Sequence, residues 1–418
     1  MSRTLVLFAM LAAAGLAAGG RPLQGTPPAE VKELTSPAGR GSSASNLSVS
    51  YNGQVLLSWI EEVAPRRFEL RFSRLGTAGW STAQTIARGQ DWFVNWADFP
   101  SVVETSKNRM AAHWLAMSSA GKYSYDVRVA LSSDGGKTWG ESLVPHRDGT
   151  PTEHGFVSMF AWRENQIGIV WLDGRAMKPE GSDHSGHGGG NMSLRFTTID
   201  AAGKLGAEVL LDDRVCECCQ TSAARSGDQA VVVYRDRSGN EIRDTGVVRF
   251  ANGSWSKPEI LHADNWEING CPVNGPAIAA DGKQVAAAWF SGGPPAPRVR
   301  VVFSRDGGRT FGAPVDVDDG APVGRVDVIL IEPGAALVSW IEDTAAGSEI
   351  RVRRVSAAGR RDASRRVAMS SNARAAGFPQ MARSGRRVVF SWTDPATPRR
   401  VRTAELELPR QSREQRER

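Results

Sequence analysis

The chain has 418 residues, with 51 Lys and Arg against 45 Asp and Glu and a formal charge of +6. That excess forms no concentrated basic and aromatic stripe, which argues against a nucleic-acid surface. Its 44 glycines are spread through the length, as many short hairpins require, and no second domain is needed to use the chain.

The N-terminus, MSRTLVLFAMLAAAGLAAGG, places Arg3 before an apolar run that ends in small residues. This order predicts a secretory signal peptide over 1–20. The run is short for a membrane span and no second apolar segment follows. Residues 21–43, rich in Pro, Gly and Ser, read as a lead-in segment. In a Gram-negative source, the mature protein is expected to cross the inner membrane and reside in the periplasm.

From 44 to 407 one phrase recurs seven times: a strand-like run ending in an aromatic residue. The marks are Trp59, Trp114, Trp171, Tyr234, Trp289, Trp340 and Trp392. Strand-rich repeats at intervals of roughly 50–60 residues, without helix periodicity, predict a β-propeller. The expected fold is all-β, with seven four-stranded blades starting near residues 44, 98, 153, 217, 270, 324 and 376. Six blades is the competing count, should a terminal repeat be degenerate. The seventh unit shows three strands, and the segment around Glu30–Thr35 is expected to supply the fourth and close the ring. Residues 408–418 form a basic tail, expected to be solvated and disordered.

Two hairpins between third and fourth strands carry S-x-D-x-G-x-x-aromatic: Ser132, Asp134, Gly136 and Trp139, then Ser304, Asp306, Gly308 and Phe311. An Asp can accept backbone N–H groups in such a turn, Gly permits the tight path, and the ring packs between blades. The pattern resembles the Asp-box, or bacterial neuraminidase repeat, of the sialidase-like propellers. That resemblance covers 44–407 and implies that the boxes are structural and lie on the face opposite an active site. A sialidase would also carry an arginine triad, introduced by Arg-Ile-Pro, and a Tyr–Glu pair. The Arg-Ile-Pro motif is absent. None of Tyr51, Tyr123, Tyr125 and Tyr234 has an obvious Glu partner in sequence. Arg175, Arg235, Arg325 and Arg374 could share a face, as could Glu153, Asp173 and Asp236, so a glycosidase built on two carboxylates stays open.

All four cysteines fall at two consecutive unit starts: Cys216, Cys218 and Cys219 in C-x-C-C, and Cys271 in NGCPVNGP. Unit starts and the loops between second and third strands open on one mouth. His154 occupies the equivalent start in unit three, and His184, His187 and Met192 lie in or beside a Gly-rich insertion of that unit. Asp98, Glu153 and Asp327 hold similar positions. His113 reads as a packed strand residue, and His146 and His262 as exposed turns.

Three readings compete for the sulfurs. An exported protein with an even cysteine count is expected to form disulfides. Thiolates with imidazole and thioether form a soft donor set suited to copper, with zinc as the alternative. Thiol exchange chemistry is the third. Three functions follow. The first is an exported copper-binding propeller for metal handling or metalloenzyme chemistry, with Cys216, Cys218, Cys219, Cys271, His154, His184 and His187 as ligands. The second is a carbohydrate-active or carbohydrate-binding propeller with Trp92, Trp96 and Trp266 lining a cleft. The third is a disulfide-stapled platform for another periplasmic protein. Expected partners are a metal ion, a glycan or such a protein, with no nucleic acid and no membrane span.

Overall fold

The computed structural model describes residues 30–163, 165–177 and 190–409. The proposed signal peptide, residues 21–29 of the lead-in, most of the tail, and His184 and His187 lie outside the described residues.

Seven antiparallel sheets form a propeller. Blade one begins at Ser42–Val49, blade two at Ser101–Ser106, blade three at His154–Ala161 and blade four at Ser222–Ser226. Blades five to seven begin at Ala277–Asp281, Pro322–Glu332 and Gln380–Ser384. Lys32–Leu34 pairs with Arg400–Glu407 and becomes the fourth strand of blade seven, so the ring closes as the sequence predicts. Blade two departs from the four-strand pattern. It has three strands, and its last segment meets the third at isolated points, where Leu143 bridges Val129 and Gly140 N donates to Leu131 O. Pro145 stands two residues later, where a ladder would need an N–H that proline lacks.

Every aromatic mark sits in the second strand of its blade and is buried. The residue two positions further on lies on the same face of the strand, because side chains alternate with period two. Three blades exploit this. The indole N–H of Trp59 donates to Glu61 at 3.0 Å, that of Trp171 to Asp173 at 2.8 Å, and that of Trp340 to Glu342 at 2.5 Å. In blade five the position is Ser291, and Trp289 donates instead to Asp264 at 2.6 Å. Each large ring thereby satisfies its one polar atom inside the core.

The innermost strands line a channel of about 840 Å3. At one mouth, side chains near the unit starts clasp the backbone of the next blade. Asp98 accepts from Phe156 N at 2.6 Å, Gln220 from Gly275 N at 2.9 Å, Asn274 from Arg325 N at 2.7 Å and Asp327 from Met381 N at 2.5 Å. Asp98 and Asp327 do lie at the central mouth, the first buried and the second half-buried, as fasteners. Burial pushes each carboxyl up to about 7.

The two S-x-D-x-G turns are superimposable in their bonds. Ser132 Oγ accepts from Gly136 N at 2.9 Å and donates to Asp134, while Thr138 donates to Asp134 through both its N and its Oγ1. Ser304, Asp306, Gly308 and Thr310 repeat the set. Gly135 N bonds Asn108 O and Gly307 N bonds Lys283 O, so both turns sit beside the hairpins joining first and second strands. That is the face opposite the unit starts. Gly308 has φ +80, and a Cβ there would lie 2.7 Å from Val231 Cγ2. Gly308→Ala is therefore expected to cost at least about 1–2 kcal/mol from left-handed backbone strain alone. Urea unfolding checks this; an unchanged midpoint would mean the turn relaxes freely.

Candidate functional site

The four cysteines meet where blades four and five join. The last strand of blade three, Val209–Val215, ends in a turn carrying Cys216, Cys218 and Cys219 before the chain enters blade four. Cys216 N donates to Arg235 O at 3.0 Å, which pins the turn to the end of the Tyr234 strand. The sulfurs of Cys218 and Cys219 lie 3.7 and 3.5 Å from that of Cys216. Cys271, from the loop leading into blade five, is near enough to Cys218 to help hold that thiol up. The three sulfurs of the C-x-C-C turn lie within 4.8 Å of one another.

The disulfide expectation is overturned. All four cysteines are free, and no two sulfurs approach closer than 3.0 Å, against a bond of about 2.0 Å. The sulfurs of the turn surround a common point instead of pairing. The disulfide-stapled platform loses its basis with them.

The loop between the second and third strands of blade four supplies charge to this cluster. Arg243, buried, places Nη1 3.2 Å from Cys216 Sγ and 2.7 Å from Glu217 Oε2. Its Nη2 donates to Glu241 at 2.9 Å, and Glu241 also binds Arg237, which in turn reaches Glu217. Burial alone would raise the Cys216 thiol. Hydrogen bonds from Cys218 and Cys219 and the Arg243 charge outweigh it and hold Cys216 well below the usual thiol range. The same bond to Cys216 holds the Cys218 thiol well above that range, and burial raises Cys219. Three sulfurs this close, the first beside a buried cation, suit a soft ion.

His154 lies in a different cluster, between blades two and three. Its ring stacks on that of His146 with centroids 3.7 Å apart. Each ring turns one nitrogen to Asp148 Oδ1 at 3.2 Å and the other toward Asp126, at 3.6 Å for His146 and 3.8 Å for His154. Asp173 stands 3.7 Å from His154 and is itself tied to Arg175 and Trp171. His146, read from the sequence as an exposed turn, is thus buried here. Met192, by contrast, is buried in the apolar core of blade three.

Burial opposes a charge on His154, but the Asp148 hydrogen bond and the Asp173 and Asp126 carboxylates prevail and raise it above the ordinary value. Burial and the His154 charge push His146 down to about 4, so the two stacked rings are shifted in opposite directions. A raised folded-state pKa means stabilisation that is complete below about 6.5, the unfolded value, and lost as pH climbs through the folded one. The melting temperature is expected to fall from this cause as pH rises above about 6.5, and His154→Asn should flatten the slope. Parallel slopes in the two proteins would contradict the assignment.

The sequence also missed a pairing at this mouth: Tyr125 Oη donates to Glu153 Oε1 at 3.0 Å, next to Asp98. The residues are 28 apart and adjacent only because the chain has passed from the third strand of blade two to the start of blade three. Among the described residues, no arginine triad accompanies them. Arg235 and Arg325 donate to backbone carbonyls, and Arg175 is paired with Asp173 and Glu208. The Trp rings named for a sugar cleft are packed. Trp266 is buried beneath Arg235, Trp96 stacks on Phe378, and Trp92 packs on Trp114.

The fold and these clusters define a seven-bladed, all-β propeller with candidate metal-coordinating groups at one mouth. Among the described residues, no helix is long and apolar enough to cross a membrane. No family model matches the chain, and no curated protein does. Solved structures share its fold. A protein of unknown function from Dyadobacter fermentans is 14% identical, with TM-score 0.50 over 92% of this chain and 100% of that one. An α-L-arabinanase from Penicillium chrysogenum is 13% identical, with TM-score 0.49 over 91% and 99% of the two chains. The α-L-arabinofuranosidase Arb93A from Fusarium graminearum is 11% identical, with TM-score 0.49 over 91% and 97%. At such identities the likeness is one of architecture.

Proposed function

We propose that this chain is a metal-binding propeller whose four cysteines hold one thiophilic ion, copper(I) in the first place and zinc as the alternative. The observation that carries this reading is the sulfur geometry around a stabilised thiolate. Metal–sulfur bonds of about 2.3 Å separate tetrahedral ligands by about 3.8 Å. The 3.5 and 3.7 Å separations around Cys216 need little adjustment to reach that. Arg243 acts as an outer-shell cation, offsetting part of the negative charge that several thiolates bring to one ion. The apolar leader pattern over 1–20 supports delivery to the periplasm, where such a site would serve metal handling. The two matching turns at Asp134 and Asp306 support a place among the Asp-box propellers. Elemental analysis of gently purified protein, paired with thiol counting, tests the reading. One ion per chain with four titratable thiols after its removal is expected. Protein that carries no ion and takes up none when reduced would defeat it.

A second reading, a carbohydrate-active propeller, rests on the Tyr125–Glu153 bond beside Asp98, whose carboxyl is pushed up to about 7 by burial and by the Glu153 charge. A protonated acid next to a second carboxylate has the composition of a glycoside-cleaving pair. Assay against aryl glycosides and plant and bacterial polysaccharides checks it, with Glu153→Gln expected to abolish turnover. No turnover by the unaltered protein would remove this reading.

A further inference from the structure

We propose that Cys271 is the exchangeable ligand of the four-sulfur site, through which the ion is passed to a partner that presents an exposed thiol. This rests on the metal-binding reading above and concerns what the site does with its ion.

The four sulfurs are not equivalent. Cys216 and Cys219 are each 1% exposed, Cys218 is half-buried and Cys271 is exposed. The first three belong to one turn whose start is tied to Arg235 O and whose end is tied by Gln220. That side chain donates to Ala97 O at 2.5 Å and accepts from Gly275 N at 2.9 Å. Cys271 comes from the separate loop leading into blade five and touches the cluster through Cys218. A structural metal site is closed on all sides by protein ligands. Here the closure is lopsided: a rigid three-sulfur floor, anchored electrostatically by Arg243 on Cys216, and one solvent-facing sulfur above it.

The three sulfurs of the rigid turn suffice to hold a soft monovalent ion, so losing Cys271 need not release it, whereas losing one of the three does. Exchange then proceeds by addition and departure. An incoming thiol forms a metal–sulfur bond as the Cys271–metal bond breaks, and the proton of the incoming thiol is taken up by the departing Cys271 thiolate. No electron is transferred and the ion is never free in water. Cys271 is the most open to that approach, since Cys216 and Cys219 are buried and Cys218 is half-buried. The recognising chemistry is a sulfur donor, whether a small thiol or a protein cysteine.

The full chain is loaded with copper(I), and ion content and transfer rate are measured for the unaltered protein, Cys271→Ser and Cys219→Ser. The acceptors are glutathione and a Cys-x-x-Cys peptide, which separate a small-thiol from a protein-thiol source. Cys271→Ser is expected to keep one ion per chain and to give it up at least tenfold faster, since the departure step is gone. Cys219→Ser is expected to lose the ion. Circular dichroism confirms that each variant is folded. Loss of the ion from Cys271→Ser as complete as from Cys219→Ser would overturn the inference, since the site would then be a closed four-sulfur one. So would retention with an unaltered or slower rate, and so would transfer to neither acceptor. Failure of the unaltered protein to load at all overturns the metal-binding reading itself, and is distinguishable from every outcome that bears on Cys271 alone.

Discussion

Replacing Trp171 with alanine is expected to lower stability by about 3–5 kcal/mol, a large share of the 5–15 kcal/mol that holds a typical protein folded. The ring is wholly buried between blades two and three, so truncation leaves a cavity among Ile169, Ile199 and Val127. A second cost follows from the hydrogen bond. Asp173 is also fully buried, and it loses the indole N–H while keeping the Arg175 and His154 contacts. Trp171→Phe separates the two costs, retaining most of the apolar area while leaving the carboxylate one donor short, at about 1–3 kcal/mol. Trp114 provides the comparison, because the residue two positions on is Ala116 and no acid waits there. Trp114→Phe should cost clearly less than Trp171→Phe in urea unfolding. Equal costs would show that the Trp–acid bond contributes nothing beyond packing.

Replacing Cys218 and Cys219 together with serine is expected to abolish metal retention while leaving the propeller folded. Serine keeps the size of the turn residues but removes two soft ligands. In the unaltered chain the Cys216 thiol is held well below the usual range, and those of Cys218 and Cys219 above it. Binding must therefore displace two protons from these thiols. Each displaced proton steepens the pH dependence by about tenfold per unit, so affinity is expected to rise about a hundredfold for each pH unit below the thiol range. A competition titration against a chromophoric chelator at several pH values measures the slope. A slope near zero would mean that these two sulfurs are not the ligands.

The ring was legible because its signal is periodic. Seven aromatic marks, each in an apolar run, register the second strand of every blade, and Lys32–Leu34 could be assigned to blade seven by counting strands. Two of the three Trp–acid pairs even announce themselves in one phrase, SWIE at Trp59 and at Trp340. The sulfur cluster was legible for a related reason: placing C-x-C-C and Cys271 at consecutive unit starts implies proximity. Its oxidation state was not. Compartment and even number argue for disulfides, and neither argument contains Arg243, which favours a thiolate. Arg243 sits in the run RDRSGNEIRD, where alternating charges read as a solvated loop, yet that loop folds over the turn. The histidine pair was illegible because His146 and His154 come from different blades, and their stacking depends on the path of the chain through Asp148. Local pattern places a residue within its blade. It says little about which residue of the neighbouring blade will face it.

The closing of blade seven by Lys32–Leu34 has a consequence for how this chain comes to be folded. The hydrogen bonds that seal the ring join residues 369 apart, such as Thr403 to Leu34 and Arg402 to Glu33. Such a contact carries nearly the highest loop-closure cost the chain can offer and can form only late. A growing chain must hold its first strand unpaired until the last one emerges, so the polypeptide stays an open, unsealed chain for almost the whole of its synthesis. The lock turns only when both ends are in the same compartment.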